Sequence, residues 1–337
     1  MSTRQLGPFQ VSATGFGCMN VCHAYGPAAS DAQAEAVFNA ALDAGVTHFD
    51  TAALYGFGLS ETWVGKFLSK RRSEFTLASK CGMQGVDVEG DGKLVRVIDG
   101  RPATIRQTCE DALKRLNTDV IDLYYLHRWD KQVAIEESVG ALADLITAGK
   151  IRAIGLSEVS SDTLRRAHRE HPIAALQTEY SLWTRNPEIS VLETCRELGT
   201  AFVAFSPVAR GFLAGTASDP SVFTPKDIRM GMPRFHGDAL AHNQLWLDTY
   251  KTIAADVGCT PAQLAIAWLL HQGDDILPIP GTGNPAHAVE NARADQVTLS
   301  AELLARLDAL VNQGTVMGGR YNAQAEREVD TETFSAT

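Results

Sequence analysis

The sequence predicts an α/β fold of the (β/α)8, or TIM, barrel class, with a β-hairpin before the first strand and extra helices after strand 7 and at the C-terminus. About eight short apolar segments alternate with segments of helical periodicity, and eight such units close a parallel barrel. The alternative, an open doubly wound sheet, normally carries G-x-G-x-x-G after its first strand. Here Gly15-Phe16-Gly17 runs into Cys18, Met19 and Asn20, which breaks that pattern. The barrel is therefore the preferred prediction.

The first half of the chain repeats a strand followed by a helix. Apolar residues three or four positions apart predict helices at 31–44, around 63–68, at 103–116 and at 135–148, and Gly45 and Gly149 end the first and last of them. Short β-favouring runs predict strands at 13–16, 46–50, 75–80 and 120–127. Residues 4–17 are expected to include a hairpin cap, and a glycine-rich stretch, 82–100, a second small hairpin.

The second half continues the same alternation. Strands are predicted at 151–156, 174–178, 201–205 and 276–279, and helices at 162–171, 188–198, 284–292 and 300–311. An irregular stretch at 207–238 precedes two helices, the second opening at Thr260 with Pro261 and Gln263 as a capping box. Loops as long as 207–238 are usually functional. The prediction is one domain over 1–337, with a polar tail at 312–337.

Composition and charge narrow the class of protein. The chain has 337 residues, is 45% hydrophobic and carries a net charge of −10, which argues against a nucleic-acid or anionic-membrane surface. No secretory signal is visible at the N-terminus, and six scattered cysteines lack zinc-site spacing. We therefore expect a cytoplasmic protein with free thiols, no metal site, and a monomeric or weakly homo-oligomeric state.

Titratable residues end three successive predicted strands. Asp50 ends the 46–50 strand, Lys80 the 75–80 strand and His127 the 120–127 strand, while Tyr55 lies in the loop after Asp50. Each alone has an ordinary structural interpretation, such as a helix cap for Asp50 or a solvated charge for Lys80. Together at one end of a barrel they suit carbonyl reduction. Lys80 would lower the pKa of the Tyr55 phenol, Asp50 would pair with Lys80, and a neutral His127 would position the carbonyl oxygen.

Three long segments carry a resemblance to a known family. The stretches GVTHFDTAALYG, DVIDLYYLHRWD and IGLSEVSSDTLRRAHREHPIAALQTEYSLW, with the strand that ends at Lys80, resemble the aldo-keto reductase superfamily, of the bacterial type, over essentially the whole chain. The resemblance implies a barrel enzyme that uses a nicotinamide cofactor without metal. It also implies that Tyr55 is the proton donor, that Lys80 and Asp50 tune it, and that His127 orients the carbonyl.

The cofactor site is expected along the later strand ends. Ser157 and Gln177 suit the carboxamide, Phe205 the nicotinamide ring, and Arg210-Gly211 the pyrophosphate. The loop at 281–285 joins a strand to a helix N-terminus, a natural anion site. The full predicted set is Asp50, Ser157, Glu158, Gln177, Phe205, Ser206, Pro207, Val208, Arg210, Gly211, Gly281, Thr282, Gly283, His287, Glu290 and Asn291.

Two residues depart from the family pattern. His287 stands where relatives often have arginine, and no lysine or arginine occurs in 281–286, so NADP(H) is only slightly favoured over NAD(H). Glu158 replaces an asparagine often found after the serine, which leaves its contact with the carboxamide open. The predicted substrate pocket contains Met19, Tyr25, Phe57 and Trp129, for which simple packing is an equal alternative.

The leading functional hypothesis is an NAD(P)(H)-dependent oxidoreductase of the alcohol dehydrogenase type, which interconverts an aldehyde or ketone and its alcohol. One alternative is a cofactor-sensing regulatory subunit that uses the same barrel as a binding module. Another is a barrel hydrolase or isomerase without hydride transfer. The sequence identifies neither the substrate, nor the physiological direction, nor the oligomeric state.

Overall fold

The computed structural model describes residues 1–217 and 219–334. Within them, the strands are β1 (Thr3–Leu6), β2 (Phe9–Ser12), β3 (Phe16–Gly17), β4 (His48–Asp50), β5 (Thr76–Cys81), β6 (Met83–Val86), β7 (Val95–Ile98), β8 (Ile121–Leu126), β9 (Ile151–Ser157), β10 (Ala175–Glu179), β11 (Ala201–Phe205) and β12 (Ile276–Pro278). The antiparallel pairs β1–β2 and β6–β7 are the two predicted hairpins. The other eight strands form one parallel sheet in the order β3-β4-β5-β8-β9-β10-β11-β12.

Helices surround this sheet. They are α1 (Met19–Cys22), α2 (Asp31–Asp43), α3 (Leu59–Leu68), α4 (Pro102–Leu116), α5 (Ile135–Thr147), α6 (Ser161–Glu170), α7 (Val191–Leu198), α8 (Gly237–Val257), α9 (Pro261–Leu270), α10 (Pro285–Ala292), α11 (Ala301–Leu310) and α12 (Ala323–Arg327). The predicted capping box is present at Thr260 and Gln263. The (β/α)8 barrel with its hairpin cap is thus confirmed.

Two backbone hydrogen bonds join the first and last barrel strands. The amide of Gly15 donates to the carbonyl of Pro278 at 2.9 Å, and that of Gly17 to Pro280 at 3.1 Å. A Cβ added at Gly17 would lie 2.9 Å from the carbonyl oxygen of Ile279, closer than real side chains approach. Glycine is therefore required where the two edges of the sheet meet.

Three segments differ from the sequence prediction. The first barrel strand is Phe16–Gly17 rather than 13–16, because the amide of Ala13 bonds to Ser2 and prolongs the hairpin. The predicted 188–198 helix is a 3-10 turn and a separate helix, since Ser190 has a non-helical φ of −161°. The stretch 207–238 holds four short 3-10 turns, and Ser218 within it lies outside the described residues.

The C-terminal segment folds over its own barrel as far as residue 334. Arg320 forms a buried ion pair with Glu158, and the carboxylate of Asp330 accepts hydrogen bonds from Ser160 and Thr163 at the start of α6. Glu332 accepts from Ser161 and Ser190 in the same region. The tail is therefore packed through charged side chains. Residues 335–337 of the predicted tail lie outside the described residues.

Over 1–217 and 219–334, no single helix is both long and apolar enough to cross a membrane. One pair of helices, Gly237–Val257 with Pro261–Leu270, reaches the threshold together by length and composition, with a bend of 80° between them.

His48 should make the stability of the barrel depend on pH. Burial lowers its pKa from 6.5 to about 4, and Asp50 and Lys80 act on it in opposite directions. Between those two pH values the unfolded chain binds a proton that the folded chain excludes, so stability is lost as pH falls from 6.5 towards 4. The loss from this group is on the order of 3 kcal/mol by pH 4.

Denaturant unfolding at pH 7 and pH 4.5 measures this effect in the wild type and in His48→Gln. The variant should lose less unfolding free energy between the two pH values than the wild type does. Equal losses in the two proteins would show that His48 is not the group responsible.

Candidate active site

Parallel strands bring the predicted titratable residues to one end of the barrel. Asp50 is the last residue of β4, Lys80 lies one residue before the end of β5, and His127 follows β8 directly. Tyr55 begins the 3-10 turn Tyr55–Gly58 between β4 and α3. Within that turn Gly56 and Phe57 have φ values of 59° and 52°, so the chain reverses sharply there.

The ammonium of Lys80 is the centre of this cluster. Its side chain is fully buried and forms an ion pair with Asp50 Oδ1. It also donates to the carbonyl oxygen of Thr51 at 2.9 Å and lies 3.3 Å from Tyr55 Oη. The other carboxylate oxygen of Asp50 accepts from Gln177 Nε2 at 2.7 Å. All three ammonium donors thus have acceptors, which suits a charged lysine held in a fixed position.

Burial sets the protonation states of the cluster. Burial lowers the pKa of Lys80, but the charge of Asp50 and contact with Tyr55 raise it more, so its pKa lies above the usual value. Burial raises the pKa of Tyr55, and Lys80 offsets only part of that rise. Lys80 by itself lowers the pKa of Tyr55, as the sequence led us to expect. Burial has the larger effect, so the pKa of Tyr55 is raised overall. Tyr55 is therefore a protonated phenol at neutral pH.

His127 is held neutral beside the phenol. Burial lowers the pKa of its imidazole well below the usual value, and the cations Arg128, Lys80 and Arg96 lower it further. Its ring meets that of Tyr55 edge to face, with centroids 5.7 Å apart at 86°. Its Nδ1 atom is buried and has no hydrogen-bond partner among the described residues. A neutral ring beside a protonated phenol can position and protonate an oxygen atom.

A cavity of about 860 Å³ opens over this cluster, which is within the range of ligand sites. It is continuous from Tyr55 and His127 to the N-terminal end of α10. The predicted residues on its wall are Met19, Tyr25, Asp50, Tyr55, Phe57, His127, Ser157, Gln177, Phe205, Ser206, Pro207, Val208, Arg210, Gly211, Gly281, Thr282, Gly283, His287, Glu290 and Asn291.

Three predicted residues are not on that wall. Lys80 lies behind Tyr55 and Asp50. Glu158 has φ 56°, is 1% exposed, and is paired with Arg320 while it accepts from the amide of Glu179. Trp129 donates its indole N–H to the carbonyl of Val133. A positive φ turns Glu158 towards the C-terminal segment, which local sequence could not reveal.

The wall after β11 has unusual backbone geometry. Ser206, Ala209 and Arg210 have φ values of 52°, 50° and 56°, a left-handed conformation that non-glycine residues rarely adopt. Such strain concentrates at functional sites. The guanidinium of Arg210, predicted to meet a pyrophosphate, forms an ion pair with Glu179 at 2.6 Å, so its charge is already balanced. This wall therefore offers backbone and hydroxyl groups more than free charge.

The far end of the cavity is formed by the 281–285 loop and α10. A Cβ at Gly281 would lie 2.6 Å from the carbonyl oxygen of Gly17, so the loop is packed tightly against the first strand. Asn284 caps α10, and Glu290 accepts from the hydroxyl of Thr260 at 2.7 Å. The amide of Ala286 donates to Asn284 Oδ1, and His287 in the first turn of α10 lines the same cavity as Tyr55. An elongated ligand with an anionic end fits this arrangement.

The cavity wall includes residues that the sequence analysis missed. These are chiefly His23, Met83, Arg96, Arg128, Arg229 and Tyr321. Arg128 adjoins His127 in sequence and could have been found from that position. Arg96 on β7 and Tyr321 in the C-terminal segment reach the site only through the fold. Within the described ranges no group of three or more His, Cys, Asp or Glu side chains is arranged to hold a metal ion.

Comparisons with known proteins show the family to which this chain is similar. The model of the aldo/keto reductase family matches residues 14–312. The soybean (Glycine max) protein "Probable aldo-keto reductase 1" is 42% identical over 314 residues, which are 93% of this chain and 89% of that protein.

Solved structures of other proteins share this fold. A glycerol dehydrogenase from Gluconobacter oxydans superposes with a TM-score of 0.82 at 27% identity, covering 91% of this chain and 94% of its own. An aldo/keto reductase from Klebsiella pneumoniae in complex with NADP and acetate gives 0.71 at 28% identity, covering 95% and 98%.

The fold and the cluster thus define a barrel oxidoreductase of carbonyl compounds and alcohols. The chain belongs to the aldo/keto reductase family, whose members use a nicotinamide cofactor and act on small molecules.

Proposed function

We propose that the protein is an NAD(P)H-dependent reductase of the alcohol dehydrogenase type, which interconverts an aldehyde or ketone and its alcohol with Tyr55 as the proton donor. The observation that carries the proposal is the 3.3 Å contact between Lys80 Nζ and Tyr55 Oη, with Asp50 as the lysine's counter-ion. This contact lies at one end of a cavity whose other end is a helix N-terminus.

Each residue of the cluster has a separate role in the proposed reaction. The cofactor, when bound, supplies the hydride to the carbonyl carbon. Tyr55 gives its proton to the carbonyl oxygen, and the Lys80 ammonium stabilises the phenolate that remains. Asp50 keeps Lys80 charged and in place. A neutral His127 with its proton on Nε2 donates a hydrogen bond to the same oxygen and fixes its position.

The hydrogen bonds already formed in the protein decide which groups are free for the carboxamide of the cofactor. Gln177 donates its amide N–H to Asp50, so its Oε1 remains to accept from an amide N–H. Ser157 Oγ accepts from Arg128 at 3.2 Å, which leaves its hydroxyl proton to donate. Phe205 provides a flat apolar surface for the ring at the end of β11. Glu158 has no part in direct contact, because its carboxylate is paired with Arg320.

At the other end, we assign His287, Glu290 and Asn291 to the adenosine part and the Gly281–Gly283 amides to phosphate. A neutral imidazole binds a 2′-phosphate weakly, and Glu290 adds no positive charge. We propose that NADPH is preferred over NADH by a small factor.

Separate titrations with NADPH and NADH, followed by cofactor fluorescence, test the proposal. The wild type should bind both, with NADPH tighter by less than about tenfold. His287→Arg should tighten NADPH by about tenfold, because a guanidinium–phosphate contact is charge-assisted. NADH, which lacks the 2′-phosphate, is the control, and its affinity should stay the same. Binding of neither cofactor by the wild type would remove the proposed function.

A further inference from the structure

We infer that the carbonyl substrate carries a carboxylate and that Arg128 is the residue that binds it. This inference rests on the proposed reductase function and adds to it a class of substrate and a residue that determines specificity. The charge on the cavity wall differs from that of the molecule as a whole. The protein has a net charge of −10, whereas the wall beside Tyr55 and His127 carries arginines.

Four arginines line the cavity in the described part of the chain, and three have carboxylate partners. Arg96 pairs with Glu328, Arg210 with Glu179, and Arg229 with Asp227. Arg128 is the exception among the described residues, since no carboxylate lies within ion-pair distance of it. Its charge is the one that a ligand can balance.

The hydrogen bonds of Arg128 leave one edge of its guanidinium open. Both of its bonds come from Nη1, one to the carbonyl oxygen of His127 at 2.7 Å and one to Ser157 Oγ at 3.2 Å. Neither Nη2 nor Nε donates to any described residue. These two atoms form one edge of the planar fork, the geometry that binds both oxygens of a carboxylate.

Arg128 follows His127 in the chain and lines the same cavity as His127 and Tyr55. Its charge acts on Tyr55 as well as on His127, so it is near both groups that meet the carbonyl oxygen. Lys80 and Arg96 also act on His127 as cations, and each of them is paired with a carboxylate. The unpaired charge of Arg128 beside a neutral histidine favours an anionic substrate and disfavours a cationic one.

The apolar residues of the cavity wall indicate the chemical nature of the rest of the substrate. Met19, Leu54, Phe57 and Met83 line the same part of the molecule and present apolar surface. An aldehyde or ketone with a hydrocarbon or aromatic body and a carboxylate satisfies both the apolar wall and Arg128. We assigned the phosphates of the cofactor to the α10 end of the cavity, so Arg128 is not needed to bind them.

The test uses two aldehydes that differ by one charge, 4-carboxybenzaldehyde and its methyl ester, with NADPH as reductant. The wild type should show a higher kcat/KM for the acid than for the ester, mostly through KM. Arg128→Gln should lower the ratio of acid to ester by about tenfold or more, since a hydrogen bond to a charged group is lost. Arg128→Lys keeps the positive charge but not the planar guanidinium. Its acid-to-ester ratio should lie between those of the wild type and Arg128→Gln. Arg106→Gln, an equal charge change on the outer face of α4 where Arg106 pairs with Asp144, should leave the ratio at the wild-type value.

A second measurement does not depend on turnover. Benzoate should quench tryptophan fluorescence of the NADP-bound protein, and Arg128→Gln should weaken that binding by a similar factor. A ratio and a benzoate affinity that stay the same in Arg128→Gln would overturn the inference. An equal loss of kcat/KM for the acid and the ester, together with weaker NADPH binding, would also overturn the inference, because Arg128 would then hold the cofactor. Turnover of the ester without preference for the acid would remove only this inference, whereas failure to bind either cofactor would remove the reductase proposal.

Discussion

Replacing Tyr55 with phenylalanine should reduce kcat for a simple aldehyde by about 10³-fold or more while the cofactor binds with unchanged affinity. The reason is that Tyr55 is the protonated phenol in contact with Lys80, and the substitution removes only its hydroxyl group. Phenylalanine preserves the edge-to-face contact with His127, so the cavity keeps its shape. Stopped-flow turnover with NADPH, together with cofactor titration, measures both effects.

Tyr124→Phe is the matched control. The hydroxyl of Tyr124 is buried on β8 and has no hydrogen-bond partner among residues 1–217 and 219–334, so its removal should change neither turnover nor fold. If Tyr55→Phe retained more than a tenth of wild-type turnover, another group would have to be the acid.

Replacing Lys80 with methionine should lower the free energy of unfolding by about 3–5 kcal/mol and abolish turnover. Methionine has a similar length but leaves the Asp50 carboxylate without a counter-ion at a site that is 1% exposed. A buried charge without a partner is costly, whereas an apolar replacement of the whole pair is often tolerated. Urea unfolding at pH 7 measures the loss.

The double variant Asp50→Asn with Lys80→Met separates charge from packing. Since the asparagine carries no charge, this variant should regain a large part of the stability lost in Lys80→Met, although not the activity. Equal stability of wild type and Lys80→Met would mean that the ion pair does not hold this end of the barrel together.

The strand-end residues could be predicted because each follows a short apolar run in a repeating pattern. Asp50, Lys80 and His127 needed only the rule that parallel strands end at one face, and Tyr55 needed only its place in the next loop. The ends of elements were less predictable. Ser190 interrupts a helical pattern, and its hydroxyl donates to Glu332 in the distant C-terminal segment.

Long-range charge pairing was outside the reach of the sequence. Arg210 had the right place for a pyrophosphate contact, but its partner Glu179 is 31 positions away along the chain. Glu158 was assigned to the cofactor, and only the folded tail shows that Arg320 binds it. The net direction of the pKa of Tyr55 depends on burial, which local sequence does not specify.

Transfer of deuterium from NADPH that carries deuterium at both C4 positions of the nicotinamide tests the central claim most directly. Wild-type protein, labelled NADPH and an aldehyde should give an alcohol with one deuterium on the carbinol carbon, and Tyr55→Phe should give almost none. Such a result would also separate the reductase from a regulatory subunit or a barrel hydrolase. An unlabelled alcohol, or no alcohol from wild-type protein that binds the cofactor, would contradict the account.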